Sequence, residues 1–213
     1  MFDKYIQQAS LRWELPPEYI KASIMVETSF DDFVNRNERA RYLRHLKNPN
    51  KVKLKPFLKN YKWGKGLGMF GTNTGLERGL AWYNDCQEIK ELVPELKNMD
   101  VNKCHSDKVL RGKRHKHGAY LPGEEYKDAK GNVRTLKSVD DPQASIMAKA
   151  EHLNWFINYY SQRRKVGGHE IDFGHLLSDT EKMRMGIAAY NAGQANIDKA
   201  IREFIKKYGR EPT

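Results

Sequence analysis

The chain has 213 residues, 39% of them hydrophobic, enough to bury one sizeable core and fitting a single domain over 1–213. Lysine and arginine number 38 against 27 acidic residues, a net charge of +11 that favours an anionic partner: nucleic acid, a membrane surface or an acidic wall polymer. Only two cysteines occur, Cys86 and Cys104, which excludes a fold built on a disulfide framework, and no apolar run reaches the roughly 18 to 20 residues that span a bilayer.

In chain order, helical spacing dominates. The run DKYIQQASLRW predicts a first helix, and Leu15-Pro16-Pro17 then breaks the chain and leaves Pro17 placed to open a second. In that second helix Tyr19, Ala22, Val26 and Phe30 form one stripe, and Ile20, Ser23, Ile24 and Glu27 form another. Apolar residues on both sides predict a helix buried nearly all round. Residues 35–64 are polar, basic and without periodicity, and the glycine-dense run WGKGLGMFGTNTG follows them. A helix is expected over about 76–97, disturbed at Pro94.

From about 98 to 139 the composition turns to charge and turn formers. It reads as an inserted surface loop with one small β-hairpin around Lys130-Gly131-Asn132. Asp141-Pro142 makes a cap followed by proline at the first helical position, and Ile146, Ala150, Leu153, Ile157 and Tyr160 give a long amphipathic helix expected to stop at Gly167-Gly168. DTEKMRMGIAAYN predicts a further helix ended by Ala192-Gly193, and QANIDKAIREFIKKYG predicts the last. No internal repeat or long low-complexity segment interrupts this order. The expectation is a mainly α domain.

Glu27 is the residue that asks for a reason. A carboxylate among core side chains is costly, because loss of water favours the neutral form. One reading pairs it with an arginine or sets it at the edge of a cleft. The other makes the cost useful, since a carboxyl that keeps its proton serves as a general acid.

Four stretches in order bear on the choice. VETSF, GLGMFGTNT, DDPQASIMAKAEHL and AAYNAG together resemble the motif series of the lytic transglycosylases, soluble enzymes similar in fold to goose-type lysozyme. The resemblance covers roughly residues 15–35, 64–80 and 140–205. Thr28 stands where that family has serine, and Gly68-Met69 or Met69-Phe70 stands where it has Met-Gln. The resemblance implies a lysozyme-like helical domain with an insertion at about 98–139. It further implies that Glu27 protonates the β-1,4 oxygen between N-acetylmuramic acid and N-acetylglucosamine. As carboxylate, Glu27 then takes the proton of the muramic 6-hydroxyl, closing a 1,6-anhydro ring without water.

Thr28, Gly68, Met69, Phe70, Tyr190 and Asn191 are the expected substrate-binding residues. Glycines in the loop let backbone approach a sugar ring, with Met69 and Phe70 as apolar surface facing either the sugar or the core. Tyr190 points to the glutamate by resemblance, although it also reads as core, and Asn191 with Gly193 also reads as a helix end. Asp31 and Asp32 are the candidate second carboxylates that a hydrolase needs. No cofactor is expected. His105, His115 and His117 match no common zinc spacing, so no metal site is expected either.

Two other classes compete. A nucleic-acid binder would use the charge, but the basic residues are scattered, form no recognition helix or aromatic platform, and leave Glu27 unexplained. A non-catalytic wall-binding or virion domain would tolerate the altered loop. The start MFDKYIQQASLRWELPP lacks the apolar centre of a signal peptide. The expected setting is therefore a bacteriophage wall-degrading protein, released at lysis or carried in the virion, acting on peptidoglycan in the wall or periplasm.

Overall fold

The computed structural model of the chain describes residues 2–30, 44, 50, 66–70, 72–81, 120 and 122–209. Among them the elements are, in order, α1 (Asp3–Trp13), α2 (Pro17–Thr28), α3 (Thr72–Glu77), β1 (Leu80–Ala81), β2 (Glu125–Lys127), β3 (Val133–Thr135), β4 (Lys137–Ser138), α4 (Pro142–Tyr159), β5 (Arg163–Val166), β6 (His169–Asp172), α5 (Phe173–Leu176), α6 (Asp179–Ala192) and α7 (Gln194–Tyr208). The described fold is mainly helical. Its strands make small two-stranded sheets: β1 runs parallel to β4, while β2–β3 and β5–β6 are antiparallel hairpins.

Local chemistry accounts for most helix ends. Glu14 turns left-handed after α1, and Pro17 opens α2 at a position whose N–H no helical bond would use. The Asp141 carboxylate accepts the Ala144 N–H at 2.9 Å ahead of Pro142, and Ser178 with Glu181 forms a reciprocal capping box on α6. Gly193 closes α6, and Gly209, with φ of 64°, closes α7.

Helix α4 is the axis of the molecule. It packs on α1, α2 and α6 and on the β1–β4 pair. One side of it joins Ile6, Ala9, Leu15, Ile20, Ile24 and Leu67 around Ile146, Ala150 and Leu153. Ala148 meets Phe70, Leu76, Leu80, Ala81, Leu136 and Val139. Beyond its C-terminal half, Phe156 and Tyr160 join Val166, Ile171, Phe173, Ala189, Ile201 and Ile205. The α4–α6 approach is close because Gly186 has no side chain: a Cβ there would lie 2.6 Å from Ile157 Cγ1 and 3.2 Å from its backbone nitrogen. Gly186→Ala is therefore expected to destabilise the protein by about 1–3 kcal/mol through overpacking, read as a lower denaturant midpoint at unchanged slope.

Four expectations are corrected by these packing facts. The predicted helix over 76–97 fails at its start, because Leu80 and Ala81 are strand residues paired with Lys137 and Ser138; residues 82–97 lie outside the described residues. Gly167-Gly168 does not stop α4, which ends at Tyr159. The two glycines, both at positive φ, form the two-residue turn between β5 and β6. Helix α2 is not buried nearly all round: Ile20, Ser23, Ile24 and Thr28 are inside, but Met25 and Val26 are 52% and 75% exposed. The stretch 98–139 is not all surface, since Leu136 and Val139 are core residues. Its residues 98–119 lie outside the described residues.

The expected hairpin is present, and one carboxylate organises it. Asp128 Oδ1 accepts the N–H groups of Lys130 and Asn132 at 2.9 and 2.8 Å, and Oδ2 accepts from Asn132 Nδ2 and Arg134 Nε at 3.1 and 3.3 Å. Arg134 in turn donates to Glu151 on α4 at 3.0 Å, and Glu151 also accepts from Arg78 Nη1 at 3.0 Å. One carboxylate between two guanidiniums thus fastens the hairpin and the end of α3 to the central helix. Asp128→Ala should cost about 1–3 kcal/mol, because it leaves turn amides and Arg134 short of an acceptor. Amide hydrogen exchange should show the hairpin losing protection ahead of α4.

Candidate functional site

Three stretches far apart in sequence pack against α4. Glu27 lies in the last turn of α2, half-buried, just before the left-handed residues Ser29 and Phe30 turn the chain away. The loop 66–70 follows, with Gly66 at φ of 65° and Met69 at φ of 50°, closed by the Met69 N–H donating to the Gly66 carbonyl at 3.0 Å. A side chain at Gly66 would lie 2.3 Å from the Val139 carbonyl oxygen, so the backbone approach here needs glycine. Tyr190 comes from the last turn of α6.

Hydrogen bonds hold the loop from two sides. The Gly68 N–H donates to Ser145 Oγ on α4 at 3.2 Å, and the Tyr190 hydroxyl donates to the Gly68 carbonyl. Leu67 drops into the core between α2 and α4. The loop is thereby fixed to both helices that flank it.

Lys149, on α4, is the residue that sequence reasoning missed. It is fully buried, its Nζ has no hydrogen-bond partner among the described residues, and that nitrogen lies 4.1 Å from the centre of the Tyr190 ring. The electron-rich ring face is a real but partial substitute for water around an ammonium. Burial therefore pushes the Lys149 ammonium down to about 7, against the opposing pull of Glu27, whose negative charge favours the protonated lysine. Tyr190 is pushed well above the ordinary phenol value by burial and, secondarily, by the charge of Glu27. The charge of Glu27 thus bears on both Lys149 and Tyr190.

His152 lines the next turn of α4. Its ring stacks on Trp155 at 6.0 Å and meets Tyr190 edge-on at 5.3 Å. Burial, then the charges of Arg78 and Lys149, push it down to about 3, so it is neutral at physiological pH. Its Nδ1 lies 3.3 and 3.2 Å from Arg78 Nε and Nη2 and accepts there, which puts the ring proton on Nε2. The lysine had a detectable signal: Ile146, Lys149, Ala150 and Leu153 share one helical stripe, and a lysine on an apolar stripe is either snorkelling or functional.

The other expected residues divide. Phe70 is 1% exposed and packs among Leu76, Leu80 and Leu136, so it is a core residue and offers no surface to a sugar. Thr28 is buried, and its hydroxyl donates to the Ile24 carbonyl at 3.1 Å, which occupies the group expected to meet substrate. Met69 is half-buried and Asn191 is exposed at the end of α6. Asp31, Asp32, Cys86, Cys104, His105, His115 and His117 lie outside the described residues. Among the described residues no cluster of histidine, cysteine or carboxylates could hold a metal ion, and no helix is long and apolar enough to cross a membrane.

Two concavities of about 630 and 490 Å³ share Trp13, Asn154 and Asn158. At about 100° per residue, Asn154 and Asn158 lie on the face of α4 opposite Lys149. Neither concavity is lined by Glu27. The second is walled by Trp155 and by Arg78, Arg134 and Glu151, the charged groups that fasten the β2–β3 hairpin and the end of α3 to α4. Comparison with models of protein families, with curated proteins and with solved structures finds no match to this chain.

Proposed function

We propose that the chain is a lysozyme-like enzyme that cleaves the glycan strands of peptidoglycan in the manner of a lytic transglycosylase, with Glu27 as the proton donor. The observation that carries this reading is the meeting of the Gly68 loop with Tyr190 and Ser145, from three of the four motif stretches, beside a buried Lys149 that feels the charge of Glu27 from the remaining one. A net charge of +11 suits an anionic wall polymer.

In the proposed reaction the Glu27 carboxyl gives its proton to the glycosidic oxygen as the bond to the muramic C1 breaks. The muramic 6-hydroxyl oxygen then bonds to C1 and its proton passes to the Glu27 carboxylate, restoring the acid. No water is consumed, so the product is the 1,6-anhydro sugar. A hydrolase would add water and need a second carboxylate.

The test is digestion of purified sacculi, followed by turbidity and by mass analysis of the released muropeptides, with Glu27→Gln as comparator. Products one water lighter than lysozyme products support the lyase. Hydrated products turn the reading to a muramidase using an acid such as Asp31 or Asp32. No release above the Gln variant removes the enzymatic reading and favours a wall-binding role.

A further inference from the structure

We propose that the two concavities along α4 form one groove that binds an uncharged oligosaccharide, apart from the site of Glu27. They join at Trp13 from α1 and at Asn154 and Asn158 from α4, three residues that line both. The two asparagines stand one turn apart on one helix face, so their amides present donors and acceptors in a row. Beside them, Trp13 and Trp155 supply indole surface. The groove follows α4 for about 10 Å, from Glu151 to Asn158, and the first concavity carries it past the helix end to Ser161. That length suits a short chain of rings better than a single one. Trp13 precedes α2, whereas Glu27 lies in the last turn of that helix, about 15 Å further along its axis.

Charge selects the class of ligand. The chain as a whole carries +11, yet the lining of this groove is balanced. In the second concavity Arg78, Lys130 and Arg134 stand with Glu77, Asp128 and Glu151. Arg78 and Arg134 each lie 3.0 Å from Glu151, and Arg134 lies 3.3 Å from Asp128. In the first, Arg12 and Lys182 are matched by Glu14 and Asp179, with Lys182 3.2 Å from Asp179. Cations matched in this way offer no surplus field to a phosphate or an acidic polymer. Their N–H groups and carboxylates still serve hydroxyls, which both give and accept hydrogen bonds. A sugar chain meets all three conditions: hydroxyls at its edges, C–H surface for the indoles, and no charge. None of this depends on Glu27 as proton donor, so the proposal goes beyond that reading.

The test is an NMR titration with two uncharged tetrasaccharides, one of β-1,4-linked N-acetylglucosamine and one of β-1,4-linked glucose. The full chain is nitrogen-15-labelled and carries Glu27→Gln, so that no turnover intervenes. At least one probe should shift the indole N–H signals of Trp13 and Trp155 saturably, each signal being assigned through its Trp→Phe variant. Asn158 is exposed, so Asn158→Arg places a long cation in the groove without touching the core. It should weaken binding by about tenfold or more, the loss expected when hydrogen bonds at the junction go. Because the ligand is uncharged, affinity should change by less than about twofold between roughly 50 and 500 mM salt. Indole signals that neither probe moves, or shifts confined to Gly68 and Tyr190, overturn the proposal. Binding that Asn158→Arg leaves unchanged also overturns it, as does a tighter, salt-sensitive affinity for an oligogalacturonate of the same length. Wild-type protein that fails to cleave sacculi removes the enzymatic reading, while this titration still decides the groove.

Discussion

Glu27→Gln should reduce glycan cleavage by about 10²- to 10⁴-fold, the range spanned by losing a general acid. Glutamine keeps the shape of the side chain and its place in the last turn of α2 but has no proton to give. Because the missing interaction belongs to the transition state, kcat and kcat/KM should fall together with KM nearly unchanged. A fall confined to KM would mean that Glu27 only binds substrate. Activity within a few-fold of wild type would mean that another group carries the chemistry. Stability should move in the opposite sense from an ordinary active-site repair: the Gln variant removes a negative charge that favours the Lys149 ammonium and leaves that buried group less compensated. Loss of activity accompanied by a small loss of stability is thus the signature that distinguishes this site from a strained carboxylate that relaxes when neutralised.

How much of this was legible beforehand depends on where the information resides. Helix starts at Pro17 and Pro142, the Asp141 cap, and the ends of α6 and α7 at Gly193 and Gly209 are set by neighbours within four residues, and they read correctly. The hairpin at Lys130-Gly131-Asn132 read correctly for the same reason. Leu80-Ala81 did not, because its partners Lys137-Ser138 lie 57 residues away, and an isolated Leu-Ala pair has no strand signature of its own. Gly167-Gly168 signals an end to regular structure but not which structure; only the pairing of Arg163–Val166 with His169–Asp172 makes it a hairpin turn.

The site divides in the same way. The order of the motif stretches brought Glu27, Gly68 and Tyr190 to attention, and the fold joins the last two by a hydrogen bond from the Tyr190 hydroxyl to the Gly68 carbonyl. The sequence could not say that Phe70 turns inward or that the Thr28 hydroxyl bonds its own helix, since both follow from how α2 and the loop pack. Lys149 escaped because a lysine in a long helix is usually solvated, and the nearby Glu151 and His152 give the same impression. Tertiary packing under α6 decides otherwise.

Lys149→Met should raise the stability of the protein at pH 6 by about 3 kcal/mol. The unfolded lysine releases its proton near 10.5 and the folded one at about 7, and this gap, at roughly 1.4 kcal/mol per unit, bounds the cost of burying the ammonium at about 5 kcal/mol. Methionine fills similar volume without charge, and the lost contact with the Tyr190 ring offsets about 1–2 kcal/mol of the gain. At roughly 2–4 °C per kcal/mol for a chain of this size, the thermal midpoint should rise by about 6–12 °C. The pH dependence carries the sign. Below about 7 both folded and unfolded lysine are protonated, and the full burial cost is present. Between about 7 and 10.5 the unfolded state binds one more proton than the native state, so wild-type stability climbs with pH. Above that range neither state is charged at this position and the cost is gone. The Met variant lacks the climb, and its advantage should shrink below about 1 kcal/mol by pH 10. Parallel stability profiles for the two proteins would mean that the ammonium finds water or a counter-charge in solution. Convergence at high pH, with the Met variant more stable below it, would mean that the chain accepts a standing cost in stability to keep a buried cation against the Tyr190 ring.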